Sequence, residues 1–232
     1  KFYTGRSKQQ KELEELGAVK DAIHAYLASI SYADAMLGRV LDAVENSPYN
    51  DNTIIVVWSD QGFHHGEKGH WGKHTLWQRT TQVPFIWSGK GIAENEQIEE
   101  TVSLIELYPT FRALCGLPGD QALDGVSLVS SLQNPATALA RNVYIPDAKR
   151  GGYAVVNKEW RYIQYPDGAE ELYKVQEDPD EWNNLAGDIE YRPVIQMLRK
   201  SAPSEFAPEA TSRKDLELII EGDSFHWEKR QK

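Results

Sequence analysis

Residues 58–77, WSDQGFHHGEKGHWGKHTLW, concentrate ionisable side chains between two tryptophans. The stretch contains four histidines and two lysines, and Asp60 lies close to its start. Such a set of side chains is compatible with a metal site, with an anion site, or with a solvated loop. The spacing of the residues discriminates between these three possibilities.

Zinc is the first candidate, because His70 and His74 have the i, i+4 spacing of a helical zinc pair. The residues between them include no glutamate that could act as a base. Gly66, Gly69 and Gly72 also interrupt the stretch, and glycine is unfavourable inside a helix. The pattern therefore disfavours a zinc site.

A hard cation is the second candidate. Asp60 and Gln61 offer adjacent oxygen atoms, the ligand type that Ca²⁺ and Mg²⁺ prefer. Together they carry a single negative charge, so a tight site needs further carboxylates from elsewhere. The alternative is that both side chains only cap the helix or turn that follows.

Lys73 is the candidate for binding an anion. A lysine ammonium group in a glycine-rich, aromatic loop can hold an anionic ester oxygen as a point charge. The flanking Trp71 and Trp77 favour a buried or cleft position for Lys73, and Lys68 is expected to be the more exposed of the two. An exposed lysine without a ligand remains the alternative.

The elements around this stretch predict an α/β fold. Residues 8–17 and 18–47 predict two helices, the second with apolar residues at steps of three and four. Residues 53–58, TIIVVW, then predict a strand that is covered on both faces. A helix that leads into such a strand indicates a mostly parallel or mixed sheet sandwiched by helices. Asp60 would follow the carboxyl end of this strand, where ligands bind in such sheets.

Further along the chain, residues 84–87 predict a second strand and residues 101–117 a helix. After residue 137 the sequence changes to short aromatic segments separated by turns, of which YPDG is a strong hairpin signal. This pattern predicts a small antiparallel sheet, and YRPVIQMLRK predicts a helix beside it. We therefore divide the chain into residues 1–137 and a C-terminal subdomain of residues 138–232.

The composition limits the possible partners. Hydrophobic residues make up 41% of the 232 residues, as in a globular protein. The net charge of −10 argues against non-specific nucleic-acid binding but permits an anionic substrate at a local cationic site. The single cysteine, Cys115, cannot form a disulfide within the chain. No apolar run approaches the roughly 20 residues of a membrane helix, so we expect no membrane partner.

The stretch YNDNTIIVVWSDQGFHHGEKGHWGKHTLWQRTTQVPFIW resembles the C-terminal half of the type I, formylglycine-dependent sulfatases of the alkaline phosphatase superfamily. It is most similar to bacterial sulfatases of the iduronate-2-sulfatase type. The resemblance implies that Asp60 and Gln61 bind one Ca²⁺ ion and that Lys73 contacts the sulfate. It also suggests His64, His70 and His74 as substrate-binding residues, with a structural or exposed histidine as the alternative for each.

Two departures from the family pattern matter. Gln61 stands where the family has histidine or asparagine, although its amide still offers an oxygen atom. No Cys/Ser-x-Pro-x-Arg segment, the source of the formylglycine nucleophile, occurs in the chain, and around Cys115 the sequence is CGLPG. The resemblance therefore implies that the formylglycine, two further aspartate ligands and a catalytic histidine belong to a missing N-terminal half, which we expect the chain to need for stable folding.

The expected function is part of a calcium-dependent sulfuric ester hydrolase that acts on a sulfated carbohydrate or another sulfate ester. The alternatives are a phosphodiester or phosphonate monoester hydrolase of the same superfamily and a non-catalytic binding fragment. The family resemblance predicts a periplasmic or secreted protein, or a lysosomal protein if the source is an animal.

Overall fold

The computed structural model describes residues 5–119, 122–208, 216–222 and 224–229. Six α-helices lie in these ranges: α1 (Lys8–Glu15), α2 (Val19–Glu45), α3 (Gln78–Thr81), α4 (Leu107–Leu114), α5 (Val129–Gln133) and α6 (Arg192–Arg199). The strands of the first part are β1 (Ile55–Trp58), β2 (His64–His65), β3 (Trp71–Gly72) and β4 (Phe85–Ser88). Those of the second part are β5 (Val143–Pro146), β6 (Tyr153–Val156), β7 (Trp160–Gln164), β8 (Glu170–Lys174), β9 (Leu216–Glu221) and β10 (Ser224–Lys229).

The two N-terminal helices confirm the prediction. The Ser7 hydroxyl accepts a hydrogen bond from the backbone N–H of Gln10 and caps α1, which ends before Gly17 at φ +65°. Helix α2 contains no fully buried residue, and apolar side chains such as Leu27, Ile30 and Val40 remain exposed. Tyr26 of α2 packs against Phe63 and His65, but much of the apolar face of the helix is exposed within the described residues.

The predicted strands at residues 53–58 and 84–87 are observed as β1 and β4. They pair antiparallel, with Val56 opposite Trp87, and β1 is half-buried rather than covered on both faces. All strand pairs among the described residues are antiparallel, so the parallel part of the predicted sheet stays a prediction. None of the helices in the described ranges is long and apolar enough to cross a membrane.

The C-terminal antiparallel sheet is confirmed, with strand order β5-β6-β7-β8. The YPDG segment forms the turn between β7 and β8, where the N–H of Gly168 donates to the carbonyl of Tyr165 over 2.9 Å. Gly168 has φ +84°, a conformation that glycine adopts without steric cost. The predicted helix beside the sheet is α6.

Both faces of this sheet are covered, which explains why β6 is buried at every position. On one face, Tyr162 and Leu172 pack against Ile195 and Leu198 of α6. The other face packs against two residues from the first part of the chain, Leu76 and Trp77, through the side chains of Ala154, Val156, Ile163, Tyr165 and Tyr173. The boundary at residue 137 stays a prediction, but the core of the C-terminal sheet includes residues from before it.

A buried ion pair of the second part is hydrogen-bonded to the first part of the chain. Arg161 Nε on β7 lies 2.7 Å from Glu181 Oε1, and the two side chains are 4% and 2% exposed. Arg161 also donates to the carbonyl of Leu76 and to the Thr81 hydroxyl, at 3.0 and 2.9 Å. The second Glu181 oxygen accepts from the backbone N–H of Gln78 at 2.9 Å. The N-terminus and C-terminus of α3 are thus both tied to this pair.

Strands β9 and β10 form a hairpin that the sequence pattern did not predict. Leu218 stands opposite Trp227 and Ile220 opposite Phe225, so four large apolar side chains share one exposed face. The loop predicted for residues 201–213 lies partly outside the described residues, because it runs into residues 209–213.

Removing one member of the buried ion pair should be strongly destabilising. Arg161→Met leaves the carboxylate of Glu181 buried without its counter-charge, and we expect a loss of about 3–5 kcal/mol in the free energy of unfolding. The double variant Arg161→Met/Glu181→Leu should lose less than the sum of the two single variants. Urea unfolding of the intact protein, followed by tryptophan fluorescence, measures both quantities.

The control is Lys8→Met, which removes an exposed ion pair with Glu12 at 3.5 Å and should change the unfolding free energy by less than about 1 kcal/mol. Additive effects of the Arg161 and Glu181 substitutions would contradict the coupling.

Candidate functional site

The turn after β1 presents the two predicted metal ligands at the end of the strand. The Ser59 hydroxyl closes this turn by donating to the carbonyl of Gln61 at 2.8 Å. The side chain of Asp60 is exposed and that of Gln61 is half-buried. No helix begins directly after them, so Asp60 and Gln61 do not cap a helix, and the alternative that they cap the turn stays open.

Gly62 fixes the direction in which the chain leaves this corner. Its N–H donates to the carbonyl of Thr80 at 3.0 Å, and a Cβ atom at Gly62 would lie 2.0 Å from the carbonyl oxygen of Arg79. Only glycine fits so close to another backbone. The corner is therefore held against α3, which is itself tied to the buried ion pair.

The β2–β3 hairpin follows this corner in the chain. In its antiparallel register His65 faces Trp71 and His64 faces Gly72. Lys73 directly follows the last residue of β3. Its approach to the strand end that carries Asp60 stays a prediction.

Lys73 and His74 are both exposed at this position. His74 has φ +74°, a left-handed conformation that is rare and strained for a residue other than glycine. Backbone strain of this kind is concentrated at functional sites, where the surrounding structure maintains it. The prediction of a buried position for Lys73 is wrong for this chain, because Lys73 is exposed, and the cleft position stays a prediction.

Hydrogen bonds between buried polar side chains hold this turn in place. His64 is 1% exposed, and its Nε2 atom lies 2.9 Å from the Thr75 hydroxyl oxygen. That hydroxyl is 2.8 Å from the hydroxyl of Thr80, which also lies 2.8 Å from the carbonyl of Thr75. Thr75 directly follows His74, so the hydrogen bonds fix the residue that ends the strained turn.

Burial determines the charge state of the inner histidines. It lowers the pKa of His64 to about 4, with a smaller contribution from the nearby His70. Burial also lowers the pKa of His70, whose Nδ1 atom lies 3.1 Å from the carbonyl oxygen of Lys68. Both rings pack edge-on against Trp77, with centroid distances of 5.7 and 5.2 Å. His64 is therefore neutral at pH 7 and belongs to the interior.

The helical zinc pair is not formed. Residues 71–72 are strand β3, so His70 and His74 do not lie one turn apart on a helix. Across the described ranges, no three or more His, Cys, Asp or Glu side chains form a group that could hold a metal ion. Asp60 and Gln61 remain as an incomplete set of oxygen donors.

The exposures of the two lysines are the reverse of the expectation. Lys68 is half-buried, whereas Lys73 is exposed. Its ammonium nitrogen lies 4.6 Å from the ring centroid of Trp77, 5.0 Å from Tyr173 and 5.4 Å from Trp182. It also donates to the carbonyl of Glu181. Aromatic faces attract a cation, and this cage holds the hairpin turn against the C-terminal sheet.

Sequence reasoning missed the residues that hold the site in place. Thr75 and Thr80 carry no charge and belong to no motif, and Arg161 and Glu181 are separated from the site by long stretches of chain. The only local signal was Trp77, which is 4% exposed and donates its indole N–H to Glu171 at 2.6 Å.

The chain is similar to known sulfatases. Residues 1–117 match the model of the sulfatase family, and residues 66–205 match the model described as N-sulphoglucosamine sulphohydrolase, C-terminal. A sulfatase of Formosa agariphila is 40% identical over 187 residues, which are 81% of this chain and 37% of that protein. The chain thus spans little more than a third of this relative.

Two solved structures are similar over most of the chain. BT4656, in complex with its substrate D-glucosamine-2-N,6-O-disulfate, has a TM-score of 0.64 and 28% identity over 76% of this chain and 38% of that one. The phosphonate monoester hydrolase of Agrobacterium radiobacter has a TM-score of 0.66 and 22% identity over 93% and 46%. The second likeness shows the fold alone. With a family model that matches half of its residues, the chain belongs to the sulfatase family, in the alkaline phosphatase superfamily, and covers the C-terminal part of such a protein.

Proposed function

We propose that the intact protein hydrolyses a sulfate ester on a carbohydrate and that this chain supplies part of the active site. The observation that supports the proposal is the match of residues 1–117 to the sulfatase family model, together with Asp60 and Gln61 in the turn after β1 and the exposed Lys73 directly after β3. We propose that the carboxylate, the amide oxygen and the ammonium group act together on a divalent cation and an anionic ester.

Asp60 and Gln61 would hold one Ca²⁺ ion through their side-chain oxygens. The donor set fits a hard cation in type, and its single negative charge requires further carboxylates. We propose that these, and the formylglycine nucleophile, come from the part of the protein outside this chain. When bound, the cation would neutralise charge on the sulfate oxygens.

Lys73 and His74 are the residues that we assign to the sulfate and its sugar. The Lys73 ammonium group would hold a sulfate oxygen as a point charge, and His74 would hydrogen-bond the substrate beside it. For His64 and His70 we propose a supporting function, because both are buried. Direct contact of either with the substrate, as the resemblance suggested, would need the interior to open.

The remaining half of the protein is the partner that we propose for the uncovered surfaces. Helix α2 and the stretch after it border a cleft of about 740 Å³ lined by Met36, Val40, Val44 and Tyr49. Exposed apolar surface of this extent usually marks an interface. Family membership also leads us to propose a periplasmic, secreted or lysosomal location.

A phosphonate or phosphate ester is the second candidate substrate, since a phosphonate monoester hydrolase shares the fold. Sulfate, phosphate and phosphonate esters of one chromogenic alcohol, assayed with the intact protein, separate the two activities. A Cys-x-Pro-x-Arg segment in the full reading frame would favour an enzyme over a binding fragment.

Removal of the Lys73 ammonium group should impair turnover. Lys73→Ala should lower kcat/KM for a chromogenic sulfate ester about 100-fold, because a charge that stabilises the transition state is lost. Lys73→Arg should recover part of the loss. Steady-state kinetics of the intact protein give the values, and Lys90→Ala, at an exposed lysine after β4, is the control. Equal kcat/KM for Lys73→Ala and the unmodified protein would remove Lys73 from the site.

Neutralising Asp60 should weaken calcium binding. Asp60→Asn should raise the Kd for Ca²⁺ about tenfold or more, because the charge of the ligand set controls affinity. Calorimetric titration of the intact protein with Ca²⁺ measures this without any substrate. Asp51→Asn, an exposed carboxylate in the turn before β1, should leave the Kd unchanged. An unchanged Kd for Asp60→Asn would show that the ion binds elsewhere.

The buried His64 should make stability dependent on pH. Its pKa is about 4 in the folded protein and near 6.5 when exposed, so the unfolded chain binds the proton first as the pH falls. The contribution is complete above about pH 6.5 and is lost between about pH 6.5 and 4, by up to roughly 3 kcal/mol. Urea unfolding at several pH values should show a shallower loss for His64→Asn than for His24→Asn, an exposed histidine on α2. Parallel pH profiles for the two variants would refute a neutral, buried His64.

A further inference from the structure

A second cleft, of about 450 Å³, opens at the turn of the β2–β3 hairpin. It is lined by Gly5, Arg6, Gly66, Lys68, Gly69, Trp77 and Trp182. None of the residues assigned to calcium or sulfate lines it. The cleft therefore lies outside the proposed reaction site, at the opposite end of the same hairpin.

The backbone of Trp182 is held by hydrogen bonds at the border of this cleft, and its side chain lines the cleft although the residue is 63% exposed. The carboxylate of Asp178 accepts the backbone N–H groups of Trp182 and Asn183 at 3.0 and 2.7 Å. The preceding residue, Glu181, is buried in the ion pair with Arg161 and has φ +59°. A rigid loop thus presents a large aromatic side chain to solvent, and a ligand that binds to it has little ordering cost to overcome.

A cation is fixed beside this indole. Lys68 Nζ lies 5.4 Å from the Trp182 ring centroid and is held from below by Trp77. Of the carboxylates that act on Lys68, Glu181 pairs with Arg161, whereas Glu171 and Asp178 accept hydrogen bonds from neutral donors and keep their charge. The described residues that line the cleft nevertheless include the cations Lys68 and Arg6, the latter paired with Glu14, and no carboxylate.

Two glycines form the turn that borders the cleft. Gly66 has φ +117° and Gly69 has φ +71°, and a Cβ atom at Gly69 would lie 3.0 Å from Arg6 Cγ. Their missing side chains let the segment with Arg6 and Gln10 pack against the turn, where the carbonyl of Gly69 accepts from the N–H of Ser7 at 2.9 Å.

We propose that this cleft is a saccharide subsite, in which one sugar of a sulfated chain stacks on Trp182 and an anionic substituent faces Lys68. The apolar face of a sugar suits the flat body of an indole, and a sulfate or carboxylate group suits the fixed ammonium. The subsite rests on the proposed function for the identity of its ligand. Strand β3 connects Gly69 to Lys73 over at most about 13 Å, so one short oligosaccharide can reach both positions.

The test measures binding of a sulfated glycosaminoglycan tetrasaccharide, and of its desulfated form, to the intact protein by calorimetry. Trp182→Ala should raise the Kd for both about tenfold, whereas Lys68→Met should raise it only for the sulfated form. Trp182→Phe should retain most of the affinity, which excludes misfolding as the cause of a loss. Trp227→Ala, at a tryptophan of the β9–β10 hairpin that is 61% exposed, is the matched control.

Hydrolysis of a small chromogenic sulfate separates this inference from the proposed function. None of the four variants should change its KM, because the small ester does not reach the cleft. No turnover of any sulfate ester by the unmodified protein would refute the proposed function, while the binding experiment would still test the subsite. An unchanged tetrasaccharide Kd for Trp182→Ala, or no binding by the unmodified protein, would overturn the subsite.

Discussion

The structure depends on one constraint, the burial of Arg161 and Glu181 as an ion pair between the C-terminal sheet and α3. Two charges without water must satisfy each other and their remaining hydrogen-bonding atoms, and here Leu76, Gln78 and Thr81 complete the set. The pair therefore has one acceptable arrangement, which fixes α3 on the sheet. Because Gly62 is bonded to α3 at Thr80, the same arrangement determines where the strand-end corner of the site lies.

The side chains around the β2–β3 hairpin fall into a buried set and an exposed set. The side chains beneath the β2–β3 hairpin are buried, neutral or paired, as His64 and Thr75 show. Asp60, Lys73 and His74 are exposed. The strained backbone at His74 is stable because a buried hydrogen bond holds the next residue. A hairpin with only two residues in each strand can position reactive groups because a larger sheet supports it.

The periodic and turn-rich segments were predictable because their signals are local. Helices α1 and α2, strands β1 and β4 and the YPDG hairpin all follow from apolar spacing, capping and turn residues within a few positions. The hairpin β9–β10 was missed although Gly222 and Asp223 stand between its strands in the sequence, because the run of Leu218, Ile219 and Ile220 does not alternate cleanly with polar residues. Lys68 and Lys73 were assigned the wrong exposures, because the rings that bury Lys68 include Tyr173 and Trp182, more than a hundred positions away.

By itself, the sequence determined the local elements, the family resemblance and the identity of the candidate ligands Asp60, Gln61 and Lys73, because each follows from residue types at short spacing. Only the tertiary structure decided which charged groups are buried and which are exposed. In the folded chain His64 is buried and Lys68 lies among aromatic rings, whereas Lys73 is exposed. Arg161 forms an ion pair with Glu181. The physical reason is that burial and Coulomb energy depend on distances in space, and residues that meet across the fold carry no common signal along the chain.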